Sequence, residues 1–292
     1  MGCVRPPGTL LSRRFRRRGP RSQDALFRRR RRQRIDVSPV LPQSGGPCQS
    51  GPDPLFLHDI SNITIFHCNL RGFITNSPEL EARLILMEKS PSIVCITETW
   101  LNSSIGSPSL YGYIIIGRRD RSDGRIGGGV IIFAHSSVAD AVSTVFISTV
   151  SERIWCILYS SFGPLLLCAW YRPLEKGEIY SITSFVEEYD RLRSQGVSSI
   201  ICGDFNVHQK SWLIHSRENT PEGSLLEAFA AKNGFAEMIK KPTRGNYLLD
   251  LFLTDFTGAF YTDILPCISD HKCTQTSINM NFVLFTSTSC DT

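Results

Sequence analysis

Several absences narrow what this 292-residue chain can be. No apolar run approaches the roughly 20 residues that a bilayer-spanning helix needs, and the N-terminus lacks the apolar segment of a secretory signal. None of the ten cysteines stands in a Cys-x-x-Cys pair, which removes the common redox and zinc-ribbon spacings. Most of them sit inside apolar runs, as Cys95 does in Ile93-Val94-Cys95-Ile96, and read as buried reduced thiols of an intracellular protein. Cys267, His271 and Cys273 have zinc-ligand chemistry but no fourth ligand nearby, so a zinc site is not expected. No internal repeat is visible. Residues 1–57 contain neither Lys nor Glu.

What that first stretch does contain is thirteen Arg against three Asp. It therefore carries +10 of a chain whose net charge is +5, which leaves −5 on residues 58–292. Rich in Pro, Gly, Ser and Gln and without hydrophobic periodicity, residues 1–57 read as a disordered Arg-rich arm. A folded domain over 58–281 and a C-terminal tail over 282–292 follow. Met1-Gly2-Cys3 resembles an acylation start, but Pro6 stands where Ser or Thr is required. Pro6, Pro7 and Pro20 also argue against the amphipathic helix of a mitochondrial transit peptide. The Arg blocks Arg13–Arg18 and Arg28–Arg34 fit nuclear import or nucleic-acid contact better, so a nuclear location is expected.

Within the domain, short apolar runs dominate. Strands are expected at Ile63–Cys68 and Ser92–Thr97, around 113–116, 129–134, 142–147, 154–160 and 165–170, and at 247–253, 260–265 and 272–280. Three helices break the series. Ser77-Pro78 reads as an N-cap with proline at N1, opening a helix to about Lys89. A second runs from about Ile179 to Ser194 with Gly196 as its C′ residue, and a third from about Ser224 to Asn233 before Gly234. Strands in succession with few helices define an α+β class: a four-layer α/β/β/α sandwich of two mainly antiparallel sheets with helices outside.

The chemistry gathers at strand ends. The run Ile200-Ile201-Cys202 stops at Gly203, and Asp204 and Asn206 follow two residues apart, on one face if the chain stays extended. Asn69, Glu98, Tyr171, Asp250 and the Asp270-His271 pair likewise terminate or interrupt apolar runs. Carboxylates, a histidine and amides converging on one rim are what metal-assisted phosphodiester cleavage requires. Oxygen ligands suit a hard cation, a base activates water, and donors hold the phosphate oxygens.

In order and spacing this set resembles the endonuclease/exonuclease/phosphatase family, from about Ile60 to Asn279. Within it, the chain is most similar to the apurinic-type endonuclease domain of jockey-like non-LTR retrotransposons. That flavour lies in Thr97-Glu98-Thr99-Trp100-Leu101, in Arg118-Arg119-Asp120-Arg121 leading to Gly127-Gly128-Gly129-Val130, in Tyr171-Arg172-Pro173, and in Pro242-Thr243-Arg244-Gly245-Asn246 before Leu248-Leu249-Asp250-Leu251. The resemblance implies a DNA endonuclease that nicks one strand, with Mg2+ as cofactor and Mn2+ as the alternative ion. Glu98 and Asn69 would hold the metal, with Asp270 at metal or substrate. Asp204 would orient or deprotonate the attacking water, and Asn206 and Tyr171 would contact the scissile phosphate. His271, oriented by Asp250, would stabilise the pentavalent phosphate, and Thr243 is expected on the substrate side. Whether Asp204 or His271 is the base stays open at this level.

Arg71 stands where many repair-type relatives carry a second metal-side Asp, which points away from a repair enzyme. In such elements a reverse transcriptase follows the endonuclease, and none is present in these residues. A monomer is expected, acting on DNA, with RNA as a second partner for the arm and no membrane. The alternatives are an apurinic-site repair nuclease, another phosphoesterase of the same fold, or a non-catalytic nucleic-acid-binding relic.

Overall fold

The computed structural model describes residues 62–175 and 178–280; the Arg-rich arm and the C-terminal tail lie outside the described residues. Strand β1 (Asn62–Asn69) leads into helix α1 (Phe73–Leu86), which returns the chain to strand β2 (Ile93–Thr97), parallel to β1. Strands β3 (Tyr113–Arg119) and β4 (Val130–His135) pair antiparallel. Strands β5 (Val142–Ile147), β6 (Glu152–Ser160) and β7 (Gly163–Tyr171) form a meander. Helix α2 (Tyr180–Leu192) then crosses to strand β8 (Ser198–Asp204), parallel to β7. Helix α3 (Pro221–Asn233) precedes strands β9 (Ala236–Glu237), β10 (Asp250–Thr254), β11 (Ala259–Cys267) and β12 (Lys272–Asn279).

Two six-stranded sheets result, in the orders β11-β12-β1-β2-β4-β3 and β5-β6-β7-β8-β10-β9. Each has one parallel pair, joined through a helix, and is otherwise antiparallel, as the α+β reading expects. The pleat assigns the faces. Ile63, Ile65, Ile93, Cys95, Val130 and Ile132 belong to the main core, which also holds residues of the second sheet. Their neighbours Phe66, Cys68, Val94, Ile96, Ile131 and Phe133 face the other way and pack with Phe73, Leu80 and Leu84 of α1. Central strands are thus buried on both faces, which is why they read as continuous apolar runs. On the second sheet, Phe185 of α2 stacks on Trp155 and Trp170 with ring centroids 5.7 and 4.8 Å apart. Glu188 of α2 accepts from Arg153 Nε at 2.7 Å and Trp155 Nε1 at 2.8 Å, so a paired buried charge fixes the helix to β6.

Among the described cysteines only Cys267 is exposed, and all are free thiols. No described helix is long and apolar enough to cross a membrane.

Local expectations fail where tertiary contacts intervene. Helix α1 starts a turn before Ser77-Pro78, which puts Pro78 inside it. Its first turn is held from outside: Gly72 N and Phe73 N donate to Glu98 O and Thr99 O at 2.9 and 2.8 Å, and Phe73 stacks on Phe133 at 5.9 Å. Those contacts offset the hydrogen bond that Pro78 lacks. Gly234 caps α3 in the left-handed conformation, as expected, but Gly196 does not do so for α2, since its φ is −126°. Strand β10 begins at Asp250 rather than Tyr247, because Tyr247 exchanges backbone bonds with Arg244 in a tight turn.

One close approach has no substitute. Gly203, with φ +147°, lies under β7 so that an added Cβ would stand 1.8 Å from Trp170 O. Gly203→Ala is expected to destabilise the domain by about 3 kcal/mol or more, read as a lower urea midpoint at unchanged m.

Candidate active site

Both parallel pairs end on the same rim. In the first sheet the register sets Asn69 beside Thr97, and in the second it aligns Tyr171, Asp204 and Asp250 across three strands. Asp204 and Asp250 are direct cross-strand partners, both buried, so like charges face one another out of water. His271, immediately before β12, relieves the repulsion. Its Nδ1 lies 2.7 Å from Asp250 Oδ2 and its Nε2 3.9 Å from Asp204 Oδ2. The three residues offer ligand atoms within 4.8 Å of one another.

This arrangement separates the proton affinities. Burial pushes the Asp204 carboxyl up to about 7, aided by the charge of Asp250 and opposed by His271 and the Asn69 amide. Burial works against the charge on His271, but attraction and hydrogen bonding from Asp250, with Asp204 behind, raise it to about 9. For Asp250 burial is likewise outweighed, by His271 first, so it is held below the usual carboxylate range. His67, 3.8 Å from Asp250 on the far side, is pushed down to about 4 by burial and stays neutral.

Glu98 closes the other half of the site. Its Oε1 accepts from Asn69 Nδ2 at 3.2 Å and from Tyr171 OH at 3.1 Å, and its Oε2 from Trp100 Nε1 at 3.0 Å. The second hydrogen of Asn69 Nδ2 goes to Asp204 Oδ2 at 2.8 Å, so one amide ties Glu98 to Asp204. The loops carrying these groups are strained. Among the described non-glycine residues, positive φ occurs at Arg71, Glu98, Trp100, Asn206 and His215, and the first four flank site strands. Backbone bonds hold the strain in place: Leu70 N to Thr97 O, and Thr99 N and Trp100 N to Gly129 O and Gly128 O. Positive φ at Gly127, Gly128 and Gly129, and the 2.3 Å that would separate an added Cβ at Gly129 from Thr99 Oγ1, explain why a Gly-Gly-Gly run accompanies the Glu98 motif.

The remaining expected residues divide. Asn206 is buried, with Nδ2 bonded to Arg172 O at 2.9 Å, which leaves the amide's other hydrogen and its unpartnered Oδ1. Thr243 does not reach the substrate side. It is fully buried, and its hydroxyl accepts from Leu249 N and Asp250 N at 3.1 Å each, so it positions Asp250. Asp270 points its Oδ2 at two guanidiniums, Arg71 at 3.0 Å and Arg244 at 2.6 Å. The sequence gives no site role to the indole of Trp100, nor to the arginines, Arg71 and Arg244, that gather on Asp270. Trp100 had a signal, two residues beyond Glu98; the cluster joins positions about 200 residues apart and had none.

The donor set fits a hard divalent cation. Asn69 Oδ1, Asp204 Oδ1 and Asn206 Oδ1 are buried oxygens without a hydrogen-bond partner. Such groups are costly to bury unless a ligand satisfies them. A cleft of about 310 Å³ adjoins Asn206, lined by Leu174, His208, Arg217, Arg244, Tyr247 and Leu249.

With this geometry in view, the chain belongs to the Endonuclease/Exonuclease/phosphatase family, whose profile matches residues 66–271. The fold is one of phosphodiesterases and nucleases. Similar solved structures include the endonuclease domain of TRAS1, a telomere-specific non-LTR retrotransposon, at 17% identity and TM-score 0.55, covering 76% of this chain and 100% of that one. The AP endonuclease LMAP from Leishmania major matches at 14% identity and TM-score 0.59, covering 78% and 91%. A 3′ phosphatase from Neisseria bound to a product DNA hairpin matches at 13% identity and TM-score 0.54, covering 73% and 98%. No curated protein matches the chain.

The pH dependence follows with a definite sign. The folded value of His271 lies above its unfolded value of 6.5, so its contribution to stability is complete below about 6.5 and lost as pH rises through about 9. In an NMR titration in EDTA, the His271 midpoint near 9 is expected to fall towards neutrality in Asp250→Asn. An unchanged midpoint would show that Asp250 does not set the charge.

Proposed function

We propose that the protein is a Mg2+-dependent DNA endonuclease that nicks one strand, derived from a non-LTR retrotransposon. The observation that carries this is one buried constellation: Asn69 is hydrogen-bonded to both Glu98 and Asp204, and His271 is hydrogen-bonded to Asp250 with its Nε2 3.9 Å from Asp204. TRAS1 and the AP endonuclease share this fold, which supports DNA cleavage as the activity.

A divalent cation held by Glu98 and Asn69 Oδ1 would neutralise phosphate charge and stabilise the leaving alkoxide. The rest falls to the chain itself. Asp204, with an affinity poised near 7 and Oδ1 free, is suited to accept a proton from the attacking water. His271, charged well above neutral pH, is suited to stabilise the negative charge that develops on phosphorus-bound oxygens. A charged imidazole cannot also be the base, which favours Asp204 in that role. The free hydrogen of Asn206 is a donor for a non-bridging oxygen, and Tyr171 OH would be a second on turning away from Glu98 Oε1, to which it donates at 3.1 Å. Asp250 fixes the orientation of His271, and Thr243 fixes Asp250.

The test is conversion of supercoiled plasmid to the nicked circle, with Mg2+ or with EDTA. Nicking is expected with Mg2+ alone, and Asp204→Ala is expected to reduce its rate by at least about 100-fold. A well-folded protein that never nicks would support a non-catalytic relic instead. Preference for an abasic over an intact duplex would support a repair nuclease.

The arm is proposed to supply non-specific affinity for DNA, since residues 58–292 carry −5 and residues 1–57 carry +10. Replacing the six arginines of Arg28–Arg34 by Gln in the full chain should make the slope of log K against log salt shallower by several units. Equal slopes would remove the arm from DNA binding.

A further inference from the structure

Asp270 was expected at the metal or the substrate, yet its surroundings are cationic. Arg71 Nη1 and Arg244 Nη2 approach the same oxygen, Oδ2, at 3.0 and 2.6 Å. A carboxylate whose Oδ2 is shared by two guanidiniums is a poor ligand for a divalent cation, because that oxygen is taken and an ion on Oδ1 would be repelled by both arginines. The same geometry suits an anion. Each guanidinium carries five donors; Arg71 gives one to Asp270, Arg244 is ion-paired with the same oxygen, and both side chains are about two-fifths exposed. Arg71 is further located by Trp100, whose ring lies 5.8 Å from its Cζ, and by Glu98 Oε2 at 3.9 Å. Arg244 lines the cleft that also contains Asn206. The pair thus stands at the mouth of the site, between the Glu98 side and the Asn206 side, with donors facing outward.

We propose that Asp270 is a positioning residue that splays Arg71 and Arg244 into a binding subsite for one backbone phosphate of the nucleic acid, next to the scissile one. The inference rests on the nuclease reading for its ligand, but it concerns binding, not the chemical step. Planar guanidiniums held in fixed directions match phosphate oxygens, and holding them beforehand removes part of the ordering cost on binding.

The sign of one substitution separates this from simple charge attraction. Asp270→Asn removes a negative charge, so attraction alone would make DNA bind more tightly. If Asp270 orients the two arginines, binding should weaken instead.

The experiment uses the full chain and a labelled intact duplex in EDTA, so that no cleavage occurs, with Kd measured by anisotropy at several salt concentrations. Arg71→Gln and Arg244→Gln are each expected to raise Kd about 5- to 20-fold, and each to make the salt slope shallower by about 0.9, as for one phosphate. Asp270→Asn is expected to raise Kd at least about 3-fold. Arg71→Lys and Arg244→Lys, which keep the charge but not the fork, should retain the slope and lose affinity. Thermal midpoints within a few degrees of the parent establish that the variants fold. A second arm titrates Mn2+ into DNA-free protein by EPR, where Asp270→Asn should leave Mn2+ affinity unchanged.

Equal or tighter DNA binding by Asp270→Asn would overturn the proposal, as would a tenfold loss of Mn2+ affinity, which would make Asp270 a cation ligand. Parent protein that binds no duplex even at low salt would sink the nuclease reading together with it. Parent that binds and nicks while every variant matches it would sink this proposal alone.

Discussion

The site depends on a cross-strand pairing that is unfavourable by itself. Asp204 on β8 and Asp250 on β10 face each other at one register position, both removed from solvent. Two carboxylates cannot both ionise there without a counter-charge. The His271 imidazole supplies it, 2.7 Å from one and 3.9 Å from the other. The same contact that makes the pair tolerable gives its members different tasks. Asp250 is held ionised and locks the ring, His271 is held charged, and Asp204 is left poised near neutrality. Stability and chemistry thus rest on one line of buried contacts, a hydrogen bond from His271 to Asp250 and a 3.9 Å approach to Asp204.

That line exists because two sheets end together. Each sheet contributes one parallel pair, and the C-terminal ends of both pairs open on the same rim. The loops beyond them adopt positive φ at Arg71, Glu98, Trp100 and Asn206, conformations that side chains other than glycine disfavour. Backbone bonds from one loop to the next keep them there, so the strain is distributed through the rim rather than relaxed. Asn69 shows how tightly the two halves are joined, since one amide nitrogen bridges the Glu98 of one sheet and the Asp204 of the other.

Charge is organised at two scales. Locally, the buried acidic groups of the candidate site are flanked by Arg71 and Arg244, which converge on Asp270. Along the chain, an acidic region of −5 follows an arm of +10. A polyanionic substrate would meet repulsion from the acidic groups and attraction from the arginines, so productive approach needs the latter placed close to the rim.

The sequence alone determined most of the elements and which polar side chains stand at strand ends, because both are written locally. A short apolar run closed by glycine, as Ile200–Cys202 is by Gly203, reads as a buried strand, and a polar residue that interrupts such a run, as Asp250 does, must find a partner. The ordered motifs identified the family, but period-two alternation does not reach Asn206, because β8 ends at Asp204 and Asn206 takes φ +48°. The tertiary structure decided what depends on register and on contacts between distant segments. Helix α1 starts at Phe73 because bonds to the Glu98 loop hold it, against the local signal of Ser77-Pro78. Thr243 turned out to support Asp250 instead of facing substrate, since its hydroxyl accepts from the backbone that begins β10. The Arg71–Asp270 ion pair spans 199 residues, and no pattern within either segment encodes it. Local sequence sets which side chains can leave a strand end; only the pairing of strands sets which of them meet.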